Sequence, residues 1–132
     1  GNFLFAFGSK GKRNGQFNFP LGLGIDDQGN IYVADSGNHR VQIFNSDGAY
    51  LSLFTTNTDK GKPSDPTDVV VNSELRICYV VDNDNHRIIL YDLKKNVILD
   101  TKGIMGMEKK EFRFPFLIDI DQEHPDYSTY NK

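Results

Sequence analysis

Polar and apolar positions alternate along the chain in short runs broken by turn-forming residues, and no run keeps a 3.6-residue apolar period beyond two turns. Residues 31–34 are apolar strand formers, residues 35–38 (Asp-Ser-Gly-Asn) are turn chemistry, and Val41, Ile43 and Phe44 open a second strand. The pattern predicts strands over 21–25, 31–34, 40–44 and 49–54, with a hairpin turn at 45–48. It predicts four more over 67–71, 76–81, 87–91 and 96–100. Residues 3–7 and 116–120 read as further strands, and 127–130 as a short one after them. Segments 8–18, 55–65 and 102–114 read as loops, and no helix is predicted.

The strands repeat as a unit. Pro20, Pro66 and Pro115, 46 and 49 positions apart, each open a short apolar strand that ends in Asp or Asn. Asp35-x-x-Asn38-His39-Arg40 returns 47 positions later as Asp82-x-x-Asn85-His86-Arg87, and 48–54 matches 1–7 at the same offset. A repeat of about 40–50 residues carrying four short strands is the mark of a β-propeller blade. The expectation is an all-β chain of four-stranded antiparallel blades in an incomplete ring. Residues 2–7 would be the outer strand of a preceding blade, 19–54 blade one, 65–101 blade two, and 115–132 the start of a third. Open blades leave unpaired edges and bare apolar faces, so a propeller must close its ring. Three solutions stand open. The chain is part of a longer protein, or self-association closes the ring by pairing 116–130 of one copy with 3–7 of another, or an open arc packs on a different partner.

At 132 residues the length suits one domain. The aromatics are Phe and Tyr without Trp, which suits strands. No apolar run reaches the length of a membrane span, so no membrane insertion is expected. The single cysteine, Cys78, excludes an internal disulfide and reads as a small buried strand residue.

The net charge of −3 hides a division by face. In a propeller, loops from strand four to the next blade and from strand two to three open on one side. The first side collects Lys10, Lys12, Arg13, Arg40, Lys60, Lys62, Arg87, Lys102, Lys109, Lys110 and Arg113 against seven acidic residues, a net of +4. The opposite side collects eight acidic against three basic residues, a net of −5. Such a field steers and orients partners. The candidate binding residues are therefore Lys10, Lys12, Arg13, Lys60, Lys62, Lys109, Lys110 and Arg113.

Candidate chemistry is sparse. Asp35, Asn38, His39 and Arg40 recur as Asp82, Asn85, His86 and Arg87, and a set repeated in each blade reads as structural. Its aspartate suits capture of turn amides and its arginine a bridge to that aspartate or to a neighbouring blade. His124 would complete a three-histidine zinc site with His39 and His86 only if all three faced one point, and the repeat places it on the opposite side. Residues 82–85 (Asp-Asn-Asp-Asn) start like a calcium loop but lack its glycine and closing Glu. The glycine-containing stretch 8–15 lacks the Gly-Lys-Ser/Thr ending of a phosphate loop. No catalytic residue, metal or cofactor is assigned.

Phe19-Pro20, Asp26, the run 29–44 and Gly48 together resemble the NHL repeat, named for an Asn-His-Leu-like triplet that is here Asn-His-Arg twice. Residues 15–20 resemble the family's inter-blade linker. The second copy departs at 72–76, where Asn-Ser-Glu-Leu-Arg replaces the usual Asp-x-x-Gly-Asn turn. The resemblance implies a propeller, commonly six-bladed, acting as an interaction or assembly module that binds protein partners through loop faces or blade edges. It also implies an alternative, because some NHL propellers bind RNA on a basic face. The loop aromatics for stacking bases would be chiefly Phe17 and Phe112. A third alternative is a fragment of an NHL-type lyase or hydrolase. Residues 66–69 resemble the inner strand of the peptidyl-hydroxyglycine lyases, but Lys-Pro-Ser-Asp at 62–65 stands where their histidine is expected. NHL repeats occur in exported and cytosolic proteins, and the reading leans to export.

Overall fold

The computed structural model describes residues 6–59 and 61–103. The strands expected at 116–120 and 127–130, the start of a third blade at 115–132, and most of the expected strand at 3–7 lie outside the described residues.

The segment 8–18, expected as loop, holds a short parallel pair, β1 (Ser9–Lys10) and β2 (Gln16–Phe17). Two-residue strands are too short to leave an alternation in the sequence. Next comes a four-stranded antiparallel sheet of β3 (Pro20–Ile25), β4 (Ile31–Asp35), β5 (Arg40–Phe44) and β6 (Tyr50–Thr55), laid side by side in chain order. A single 3-10 turn, Ser36–Asn38, joins β4 to β5. The second sheet repeats the arrangement with β7 (Pro66–Asn72), β8 (Ile77–Asp82), β9 (Arg87–Asp92) and β10 (Val97–Gly103). β10 runs past its expected end at 100 by way of a bulge between Ile98 and Asp100. Two meanders of four antiparallel strands are two propeller blades.

Asx side chains make the turns between strands. The Asn45 carboxamide oxygen accepts the amides of Asp47 and Ala49, both at 2.9 Å, and closes the β5–β6 hairpin. One Asp92 carboxylate oxygen accepts the amides of Lys94 and Lys95 at 2.8 and 3.0 Å and does the same for β9–β10.

The core lies between the two sheets. Tyr32, Ala34, Val41, Ile43 and Phe54 of the first face Val69, Val71, Cys78, Val80, Ile89 and Tyr91 of the second. The rings of Phe54 and Tyr91 stack with centroids 3.7 Å apart. Cys78 is a free thiol at the centre of this layer, and burial pushes its pKa up. The inner strands come closest: a Cβ on Gly22 or Gly24 would stand 2.7 Å from the carbonyl oxygen of Thr67 or Val69.

The blades are equivalent but differently covered. Leu23 and Ile25 occupy the places that Val69 and Val71 hold in the second sheet. The valines are 1% and 6% exposed beneath the first blade, whereas Leu23 and Ile25 are 60% and 58% exposed. On that outer face Phe7 and Phe17 cover Phe44, with ring centroids 4.9 and 5.5 Å from it.

Candidate binding face

The loop side of the blades is built on two buried carboxylates. Asp35 ends β4, and the β4–β5 register sets Arg40 directly across from it. The Asp35 carboxylate is fully buried and accepts from Arg40 Nε at 2.7 Å, Asn38 Nδ2 at 3.0 Å, Gln42 Nε2 at 3.2 Å and the Asn18 amide at 2.7 Å. Asp82 repeats the device with Arg87 Nε at 2.8 Å, Asn85 Nδ2 at 2.9 Å and the Asp65 amide at 2.9 Å. The captured amide belongs to the linker entering the blade, not to the aspartate's own turn. Each aspartate thus fastens its own hairpin and the chain arriving from the previous blade.

Arg40 extends the clamp upward. Its Nη1 donates to the Lys12 carbonyl at 3.0 Å, and its Nη2 to the carbonyls of Arg13 and Gln16 at 3.1 and 2.8 Å. Gln42, fully buried, accepts the Gly15 amide at 2.8 Å and donates to the Gln16 carbonyl at 2.6 Å. Asn38 Nδ2 reaches the Gly11 carbonyl at 2.9 Å. The loop that carries Lys10, Lys12 and Arg13 is therefore tied from beneath by three side chains of the first blade. All three cations are exposed, and none forms an ion pair among the described residues.

This geometry corrects the membership of the basic side. Arg40 and Arg87 are buried against Asp35 and Asp82, so none of the four contributes surface charge. Two cations and two anions leave together, and the surplus inferred for that side is unaltered. Lys62 is exposed on the next linker, where its amide and carbonyl bond the Asn85 side chain, both at 2.9 Å. Lys102 pairs with Asp100 at 3.1 Å. Lys60, Lys109, Lys110, Arg113 and His124 lie outside the described residues.

His39 and His86 both close their turns in the left-handed conformation, at φ +56° and +49°. His39 Nδ1 bonds the Ser64 carbonyl at 2.5 Å, a contact in which the ring nitrogen donates. Beside it, Ser36 Oγ donates to the Asp65 carboxylate and the hydroxyls of Thr56 and Ser64 bond each other. These contacts fasten blade one to the second linker. Among the described residues no group of three or more His, Cys, Asp or Glu could hold a metal ion. No helix among them is long and apolar enough to cross a membrane.

On the opposite side, Asp26, Asn30, Tyr32, Ser73 and Arg76 line a polar cleft of about 230 Å³ between the blades. The Tyr32 hydroxyl donates to Asp26 Oδ2 at 3.0 Å, and burial followed by that bond pushes the phenol pKa up. Near the inner strands, Asp68 is 5% exposed, and burial raises its carboxyl to about 6.

The burial of one loop-side residue and the backbone conformation of another escaped the sequence reading. Gln42, a polar residue between Val41 and Ile43 of β5, is a buried clamp; its counterpart, Ile89, is core. Phe19 precedes the inner strand in the left-handed conformation at φ +55°, with its side chain in solvent. Its signal was present as a proline spacing of 46 against a motif spacing of 47.

Comparison with known proteins agrees with this architecture. Residues 17–44 match the family model of the NHL repeat. The first blade carries an NHL repeat, and the chain is a partial β-propeller. The human E3 ubiquitin-protein ligase TRIM32 is 46% identical over 46 residues, 35% of this chain and 7% of that protein. The Drosophila melanogaster Protein brain tumor is 46% identical over 48 residues, 36% of this chain and 5% of that protein. The matched stretch is thus a small part of each relative. Among solved structures, the crystal structure of RRP9 WD40 repeats superposes with a TM-score of 0.57 at 14% identity, over 72% of this chain and 27% of the other. At that identity the likeness speaks for the propeller fold alone.

Proposed function

We propose that these NHL blades form a non-catalytic interaction module that takes a protein partner on the loop side carrying Lys10, Lys12, Arg13 and Lys62. The observation that carries this reading is the clamp beneath the first loop. Arg40, Gln42 and Asn38 spend their polar groups on its backbone, so the cations above stand on a fixed scaffold. A preformed charged surface loses little conformational entropy on binding and orients an approaching acidic partner. The side chains of Asp35, His39, Arg40, Asp82 and Arg87 are engaged in holding blades and linkers together, which supports a scaffold rather than a reaction centre.

A second reading is RNA or another polyanion on the same side, favoured by the three exposed cations on one loop. One experiment separates the two. Affinity capture from cells is compared between the wild-type chain and the triple variant Lys10→Glu, Lys12→Glu, Arg13→Glu, with circular dichroism as the fold control. The expected outcome is loss of captured proteins from a variant that keeps its strand spectrum, with capture insensitive to ribonuclease. Equal capture by both chains would overturn the reading. Capture that ribonuclease abolishes, with a steep salt dependence, would establish the second.

A further inference from the structure

The two inter-blade linkers differ by one residue. The amides of Asn18 and Asp65 hold equivalent places, each donating to the buried aspartate of its blade at 2.7 and 2.9 Å. Pro20 and Pro66 are equivalent too, lying across the sheet from Asp35 and Asp82. Between amide and proline the second linker has no further residue, and the first has Phe19. The Phe19 carbonyl accepts the Ser36 amide at 3.3 Å, and the Asp65 carbonyl accepts the equivalent Asn83 amide at 3.0 Å. The second linker therefore makes the same bonds without the insertion.

Phe19 is also held at a cost. Its φ of +55° is uncommon for any side chain, and a residue before proline is further restricted. Its side chain is 72% exposed. The Asn18 amide pinned to Asp35 and the Gly37 amide donating to the Asn18 carbonyl at 2.8 Å fix the backbone on one side of it. A strained backbone that delivers an aromatic ring to water is the kind of outlier from which a binding role is argued.

The surroundings define the ligand. Phe19 rims a groove of about 450 Å³ whose other walls include Phe7, Phe17, Pro20 and Lys10. Lys12 and Arg13 follow on the same clamped loop. We propose that Phe19 anchors an acidic peptide segment of the partner, with an apolar side chain packed against Phe19 in the groove and carboxylates set on Lys10, Lys12 and Arg13. This rests on the reading above that the loop side takes a protein. A concave apolar groove beside cations accepts a side chain, whereas single-stranded RNA favours a series of flat stacking platforms. Phe19 is the only strongly exposed aromatic among the described residues.

The test is fluorescence anisotropy with a labelled, capped acidic peptide carrying one central phenylalanine, titrated with the 132-residue chain. The variants are Phe19→Ala, deletion of Phe19, which restores the spacing of the second linker, and the triple charge reversal. The wild-type chain is expected to bind the peptide. Both Phe19 variants are expected to weaken binding by at least about tenfold, as truncation of an interface anchor does, without lowering the melting temperature. Replacing the peptide's phenylalanine with alanine is expected to cost a similar factor. If the Phe19 variants bind within about twofold of wild type while charge reversal abolishes binding, the anchor is refuted and the basic side stands. If neither change matters, or the wild-type chain does not bind the peptide, both fail for acidic peptides. Phe19-dependent binding of oligouridine without peptide binding would overturn the proposal in favour of RNA.

Discussion

Arg40→Ala is expected to destabilise the chain by about 3–5 kcal/mol, the range for removing one partner of a buried ion pair. The magnitude comes from what the deletion leaves behind. Asp35 would remain a fully buried carboxylate, stripped of the Nε bond that neutralises it. The carbonyls of Lys12, Arg13 and Gln16 would lose their common donor at the same time. Gln42 would still reach Asp35 and Gln16, so the loop would loosen rather than detach. Chemical denaturation measures the loss. A midpoint unchanged from wild type would show that the pair contributes nothing. Asp35→Asn with Arg40→Met removes both charges and should recover much of the stability, because an uncompensated charge is the main cost.

Gly24→Val is the second large effect, expected at about 1–3 kcal/mol from overpacking. The inner strands of the two blades approach so closely that a Cβ at this position would stand 2.7 Å from the Val69 carbonyl oxygen. The obstacle is backbone, which no rotamer change removes. The blades would have to part along β3 and β7, and the layer containing Val69, Val71 and Tyr32 would open with them. Gly103 supplies the control, since a Cβ there meets nothing within 4 Å among the described residues. Gly103→Ala should leave thermal stability within about 0.5 kcal/mol of wild type. Equal melting temperatures for Gly24→Val and Gly103→Ala would contradict the close approach.

The strands were legible because alternating Ile, Tyr, Val and Phe positions are punctuated by Asx and glycine turns, and because the pattern occurs twice. The structural reading of Asp35 and Arg40 followed from repetition alone. What repetition could not give was the other end of the clamp. The carbonyls bound by Arg40 lie 24–28 residues away, on a loop whose sequence carries no mark of these contacts. Gln42 was invisible for a related reason: a polar residue on a strand looks the same whether it meets water or a buried backbone. Counting Arg40 and Arg87 as surface charge had the same cause, since sequence gives the sign of a charge and not its depth. Phe19 was legible in arithmetic, as one residue too many before Pro20, but its left-handed backbone was not.

Amide hydrogen exchange, read residue by residue, tests most directly whether the buried aspartate clusters hold a preformed loop side. The informative amides are Gly15, Asn18 and Asp65, all outside strands and bonded to the side chains of Gln42, Asp35 and Asp82. The account predicts that these three exchange as slowly as the amides of β4 and β5, because opening them requires breaking the buried clusters. Exchange of all three at unprotected loop rates, while β4 and β5 stay protected, would mean that the clamps are not formed in solution and that the basic loop is not a fixed surface.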